Sequence, residues 1–428
     1  MKTKLLAAAA ATMMAVSPAM ADLMIPALNY RTGPYAPNGI PYADGFSDYM
    51  TMLNERDGGI GGEKVNVVEC ETAYNTEKGV ECYEQTKGQG ALLYIPQSTG
   101  ITYQLIPKAS ADQIPVWSVA YGRTSAVNGK VFEWIFNMPV TYWDGASVLT
   151  KYAMEQEGGS LDGKKIALVY HNSAYGKEPI PTLEALAEKH GFQLIAIPVD
   201  HPGQEQKSQW LQVRRERPDY VFMWGWGVMN QVAIQEAANI RYPMDKFLGV
   251  WWSGSEADVV PVGEGADGYK SATFHGVGTD FPALQDVKSL VIDAGKQAGD
   301  GSKWGEVGYN RGLYTAAVVA EAIKQAQDAT GNAAITAADM RDALENLDIS
   351  DARFEEIGLG GFAPAIKQSC DTHSSPRLAA VQQWNATDKT WTLITDYMEP
   401  DREIVDPLIE KDSMAYAQEN NITPRECN

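Results

Sequence analysis

Short apolar runs alternate with helically spaced stripes along most of this chain. Leu23–Asn29, Lys64–Cys70, Ala91–Ile95 and Ile114–Trp117 have the length and β-branched or aromatic content of buried strands. Between them, Tyr42–Arg56, Thr76–Lys87 and a stretch running from Gly100 to Asp112 place apolar residues on one helical face. Asn75 or Thr76 is expected to cap the second of these helices. The stretch 31–39, with Gly33, Pro34, Pro37 and Gly39, reads as turns. The alternation then restarts. Helices are expected at Tyr142–Glu157, from Gly176 to His190, at Gln204–Arg217 and at Met229–Ile240. Strands are expected at Lys164–Tyr170, Phe192–Val199, Asp219–Met223 and Phe247–Val250. Tyr269–Phe274 and the helices Ala283–Gly299 and Tyr309–Thr330 read as a return to the first run. Thr336–Leu347 adds a short helix, and Ala379–Asn385 with Trp391–Asp396 reads as a hairpin around Ala386–Lys389. Such β-α alternation requires mainly parallel sheets covered by helices on both faces. Two runs imply an α/β protein with two similar lobes.

The breaks between strand and helix carry the candidate chemistry. Val221–Asn230 reads Val-Phe-Met-Trp-Gly-Trp-Gly-Val-Met-Asn, a strand, a glycine break and a helix start. In open α/β sheets ligands bind beyond the carboxyl ends of the strands, where Trp226 would sit. A lone tryptophan is more often core packing, but aromatic residues recur at the equivalent breaks: Tyr35, Tyr121, Tyr175, Trp251 and Trp252.

Composition narrows the function. The 428 residues suffice for two ordinary domains. A formal charge of -20 leaves no basic surface for a nucleic acid. Met1–Ala21 has the basic end (Lys2, Lys4), the short apolar stretch and the Ala19-Met20-Ala21 cleavage site of a secretory signal. Its removal takes two lysines and no acid, so the charge moves from -20 to -22. Export permits disulfides, and Cys70, Cys82, Cys370 and Cys427 allow three connectivities. We expect Cys70–Cys82, closing a strand end onto the next helix, and Cys370–Cys427, pinning the tail. No cofactor or metal is implied: His171, His190, His201, His275 and His373 are scattered and no C-x-x-C occurs. Nor is there a G-x-S-x-G, a P-loop, an H-E-x-x-H or a G-x-G-x-x-G, so an enzyme is not indicated. Glu256 and Asp258 read as the solvated start of a helix.

Thr32-Gly33-Pro34-Tyr35-Ala36, the Gly59-Ile60-Gly61-Gly62 turn, Ser98 after the third strand and Tyr175-Gly176 resemble the periplasmic leucine/isoleucine/valine-binding proteins. These are solute receptors of ABC importers with the type I two-lobed fold. The similarity extends from Asp22 to about Asp396. It implies periplasmic localisation, a small-molecule ligand, an inner-membrane permease as partner, and hinge closure over the ligand. It also implies three crossovers, near Asn137–Trp143, Ser271–Val277 and Gly358–Leu378. The lobes would be 22–139 with 274–357 and 140–273 with 358–397, followed by a charged tail, 398–428, that is helical in part.

The resemblance also supplies site residues. Ser98 matches the hydroxyl that binds a ligand carboxylate, Ala120 a backbone contact, and Tyr175 and Trp226 aromatic walls. Tyr35 and Asn38 lie in the first loop facing the cleft, and Tyr121 and Trp252 are further wall candidates. Two positions depart from the family. Its second carboxylate-binding threonine falls at Gly122, beside Arg123, and its ammonium-binding glutamate falls at or next to Trp251. A buried ammonium without a partner is costly, so the expected ligand is an aromatic or other apolar carboxylate held by Ser98 and Arg123. Branched-chain amino acids or amides, a quaternary ammonium in a tryptophan cage, and a sensory rather than transport role remain the alternatives.

Overall fold

The computed structural model describes residues 22–427, so the expected signal segment Met1–Ala21 lies outside the described residues. Leu23–Asn29 is buried along its whole length and pairs in parallel with Val65–Glu71. On its other side, residues 91–95 join it by single bridges, Met24–Ala91 and Ala27–Ile95, and Tyr94 bridges onward to Val116. Val116–Trp117 pairs in parallel with Ile135–Phe136. The expected strand Ala91–Ile95 is thus reduced to bridges, bracketed by Gly90 at φ +86° and by Pro96.

A second sheet holds seven strands. Its order is Thr390–Leu393, Ala380–Asn385, Lys270–Thr273, Phe247–Gly249, Tyr220–Trp224, Lys165–His171 and Gln193–Val199. The last five are mutually parallel, and the hairpin 380–393 adds two antiparallel strands at one edge. The two sheets, each in a parallel core flanked by helices, form the two lobes of a type I binding-protein fold. The chain passes between them after Phe136, after Thr273 and before Ala380.

Some elements differ from the sequence expectation. Tyr269–Phe274 does not return to the first lobe: Lys270–Thr273 is buried between Phe247–Gly249 and the C-terminal hairpin, and the return follows it. The first helix spans Ala36–Arg56 rather than starting at Tyr42, because Pro37 sits in its first turn, where its missing N–H is harmless. The expected helix Ala283–Gly299 ends early: Pro282–Val287 widens into Lys288–Ile292 and stops before Gly295 at φ +70°. Asn75 is the N-cap of Thr76–Thr86, its side chain accepting from the Lys78 amide at 3.0 Å.

Two helices bring the first lobe up to the cleft. Ala36–Arg56 and Val307–Thr330 touch at paired glycines, where a Cβ on Gly45 would lie 2.0 Å from the Tyr309 carbonyl oxygen and one on Gly312 2.0 Å from that of Tyr42. The close approach lets the Tyr42 hydroxyl donate to Thr315 Oγ1 at 3.0 Å. The disulfides join Cys70 to Cys82 and Cys370 to Cys427. The tail forms the helix Arg402–Glu419, which lies across both lobes. Asp412 pairs with Arg123 at 2.5 Å, and Ser413 accepts from Asn128 at 2.8 Å, on the first lobe. Asp401 pairs with Lys189 at 2.6 Å and its amide donates to Ser147 at 2.6 Å, on the second. Among the described residues no helix is long and apolar enough to cross a membrane.

Candidate ligand-binding site

The loops at the carboxyl ends of both sheets meet face to face. The Pro34–Tyr35 loop and the Gly225–Gly227 break approach so closely that Gly227 could carry no side chain: its φ is +60°, and a Cβ would lie 2.7 Å from Tyr35 Cδ1. The Tyr35 hydroxyl and His171 Nε2 are 2.8 Å apart, joining the first lobe to the second. Asn38 donates to Ser255 Oγ and Asp258 Oδ1, both at 3.0 Å, and so makes a second bridge. The Trp251 and Trp252 indoles both donate to the Ala120 carbonyl, at 3.1 and 3.3 Å, and make a third.

A cleft and a cluster of aromatic rings lie between these bridges. The cleft is the outer of the two, about 390 Å³, and its lining includes Tyr35, Tyr74, Ser98, His171, Tyr175 and His201. Ser98 caps the helix Thr99–Asp112, its Oγ accepting from the Ile101 amide at 3.4 Å, which holds the hydroxyl at the cleft wall. Tyr175 donates to the Gly225 carbonyl at 2.9 Å. Burial, with the His201 ring stacked 5.2 Å away, pushes the His171 imidazole down to about 4.

Deeper than the cleft, aromatic rings from both lobes pack against one another as a box. Tyr121 stacks on Trp252 with centroids 4.2 Å apart, and Trp226 meets Trp252 edge-on at 5.4 Å. Tyr30 closes on Trp226 at 6.2 Å, and Tyr42 on Trp252 at 6.4 Å. All five rings are buried, and they come from both lobes. Arg311, only 2 % exposed, lies over Trp252 at 4.8 Å. Burial pulls its pKa down to about 10, which still leaves it charged at neutral pH.

The structure thus brings Tyr35, Ser98 and Tyr175 to the outer cleft, and Tyr121, Trp226 and Trp252 to the inner box. Asn38 and Ala120 stand at the seam, with their polar groups engaged by protein. Trp251 packs the other way, stacked on Tyr142 at 5.6 Å and pressed against Gly145. Arg123 is not at the cleft: its guanidinium pairs with Asp412 and lies over Tyr416 at 4.8 Å, on the tail helix. Asp258 does begin a helix, through a capping box with Ser255, but it is fully buried rather than solvated. It accepts from Asn38, Asn230 and Ser255, and burial raises its pKa. Tyr30, Tyr42, Tyr74, His171, His201 and Arg311 were not among the expected site residues. Arg311 had a readable signal: it falls on the apolar stripe Val307, Arg311, Tyr314, Val318, where an arginine is out of place. No cluster of three side chains fit to hold a metal ion occurs among the described residues.

Comparison with known proteins points the same way. Residues 23–389 match the family model described as periplasmic binding protein. A Leu/Ile/Val-binding protein homolog 3 from Brucella melitensis biotype 1 is 27% identical over 212 residues, 49% of this chain, and the match spans only 56% of that protein. A crystal structure described as an ABC transporter permease from the Pseudomonas fluorescens group is 40% identical, with a TM-score of 0.87 over 95% of this chain and 99% of that one. Two more distant structures share the fold. A branched-chain amino acid ABC transporter protein from Thermus thermophilus with bound valine has a TM-score of 0.77 at 19% identity, over 90% of this chain and 99% of that one. An ABC transporter solute-binding protein from R. palustris in complex with benzoate has 0.68 at 17%, over 89% and 97%.

Proposed function

Because this chain belongs to the periplasmic binding protein family, we propose that it is the exported solute-binding protein of an ABC importer of the branched-chain amino acid type. Its ligand in this reading is a small aromatic or otherwise apolar carboxylate. The protein captures the solute between its lobes and hands it to an inner-membrane permease, with no chemical step. The lobes we take as 22–139 with 274–357 and 140–273 with 380–397; residues 358–379 go with the first, where Ile366–Lys367 pairs with Asp348–Ile349.

The observation that carries this reading is the stacked pair Tyr121–Trp252, one ring from each lobe, inside a box with Tyr30, Tyr42 and Trp226. Ring contact is worth about 0.5–1.5 kcal/mol beyond the buried area, so such a box favours a flat apolar body. An amino acid would add an ammonium group. The buried acids at the lobe interface are already engaged, Asp258 by Asn38, Asn230 and Ser255 and Glu178 by Tyr103 and Thr124, so the ammonium would go unpaired. The benzoate-bound neighbour supports an aromatic acid on this scaffold; the valine-bound neighbour supports the alternative, a branched-chain amino acid.

Titration calorimetry separates the two, with solution scattering on the same samples to report closure. Benzoate should bind at micromolar levels or tighter, shrink the radius of gyration, and lose affinity in Trp252→Ala. Tight binding of leucine or valine, with none of benzoate, would return the protein to the family's usual ligand.

A further inference from the structure

Arg311 is a buried charged side chain with no acid in salt-bridge contact among the described residues; Asp258 and Glu256 act on it only from a distance. It projects from the apolar stripe of Val307–Thr330 and is 2 % exposed. Its Nε donates to His275 Nε2 at 3.1 Å and its Nη1 to the Trp251 carbonyl at 2.7 Å. Both acceptors are neutral: His275 spends its Nδ1 proton on the Gly276 carbonyl at 2.8 Å, which leaves Nε2 free to accept. Nη2 is buried and has no acceptor among the described residues.

A second orphan stands nearby. Trp226 Nε1, also buried, has no acceptor among the described residues. Both groups flank the same ring, Arg311 at 4.8 Å from Trp252 and Trp226 at 5.4 Å. Trp252 donates to Ala120 and Tyr42 to Thr315, and the Tyr30 and Tyr121 hydroxyls can each donate or accept. Two donors and one positive charge thus stand without an acceptor of their own among the described residues. Buried donors and buried charges both call for a partner. The complementary group is an anion that only accepts hydrogen bonds, and a carboxylate beside a guanidinium is the strongest such pairing.

We propose that Arg311 is the anchor for the anionic group of the ligand, so that this site selects carboxylates lacking an ammonium group. The proposal rests on the preceding reading that the aromatic box is the ligand site. It replaces Arg123, which the tail helix occupies, and makes Ser98 a residue of the outer cleft. An α-amino acid would bring its own cation next to Arg311, and a neutral amide would leave the buried charge unpaired. Both are disfavoured for the same reason.

The test is calorimetry on the full mature chain with benzoate, benzamide, hexanoate and hexanamide, using the wild-type protein, Arg311→Lys and Arg311→Met. Wild type should prefer benzoate to benzamide by about 100-fold or more, the discrimination expected when a buried polar group is left unpaired. Arg311→Met should lose that preference by weakening benzoate while leaving benzamide nearly unchanged, and Arg311→Lys should fall between. Equal wild-type binding of benzoate and benzamide would overturn the anchor and leave the aromatic reading standing. So would an Arg311→Met that weakens both to the same extent, since that marks a purely structural arginine. If Arg311→Met fails to fold, the wild-type and Arg311→Lys comparisons decide. Binding of hexanoate but not of benzoate or hexanamide would keep the anchor and overturn the aromatic reading. No binding of any carboxylate would overturn both.

Discussion

At the scale of single residues, the outer cleft carries a proton-sensitive group. His171 is held between the Tyr35 hydroxyl at 2.8 Å and Ser173 Oγ at 2.7 Å, and burial chiefly, then His201, brings it to about 4. A free histidine titrates near 6.5, so the folded, closed protein binds fewer protons than the unfolded chain between those values. The part of its stability that rests on His171 is complete above pH about 6.5 and declines as pH falls toward about 4, by about 3 kcal/mol at the acid end. Urea unfolding at pH 7, 5.5 and 4.5 should show this slope, and His171→Gln should flatten it; parallel profiles would remove His171 from the account. The same scale shows where sequence reading stops. Trp251 and Trp252 are neighbours of one type, and only the turn Trp251–Ser253 decides that the second faces the box and the first the helix Tyr142–Gln156. Arg311 could be seen as misplaced on its stripe, but not what it would face.

Among elements, the tail is tied down twice, by the Arg402–Glu419 helix and by the Cys370–Cys427 bond behind it. Loop-closure entropy makes the longer ring worth more: about 4 kcal/mol for this bond against about 3 for the Cys70–Cys82 ring. Paired Cys→Ser variants should therefore lose stability in that order in chemical denaturation, with the tail variant also exposing the Arg123–Asp412 pair. The reverse order would mean that the helix holds without its disulfide. Both pairings were legible from the sequence, since one joins a strand end to the next helix and the other reaches the terminus. The tail helix itself was legible as a charged, partly helical stretch. Its partner was not, because Arg123 and Asp412 are 289 positions apart and nothing local matches them. Strand Lys270–Thr273 went to the other sheet for a similar reason: its pattern says buried, and only the hairpin 380–393 says where.

For the whole molecule, the parallel two-lobed plan was readable because buried parallel strands are short continuous apolar runs, and they alternate along the chain with helically spaced stripes. The way the lobes are held together leaves no such pattern. Polar bridges and ring contacts cross the cleft, whereas the Arg402–Glu419 helix spans the lobes on ion pairs: Arg123–Asp412 at 2.5 Å, Lys189–Asp401 at 2.6 Å and Lys189–Glu403 at 3.0 Å. These pairs are partly exposed and so are weakened by salt, while the ring contacts inside the box are not. Solute residence time should then depend on ionic strength although the solute touches no mobile ion. In stopped-flow release measured by tryptophan emission, raising salt from about 0.05 to 1 M, where the screening length drops to about 3 Å, should speed dissociation. Asp412→Asn should abolish most of that acceleration. The tail would then act as a clock on release, set by the surrounding electrolyte and not by the cargo.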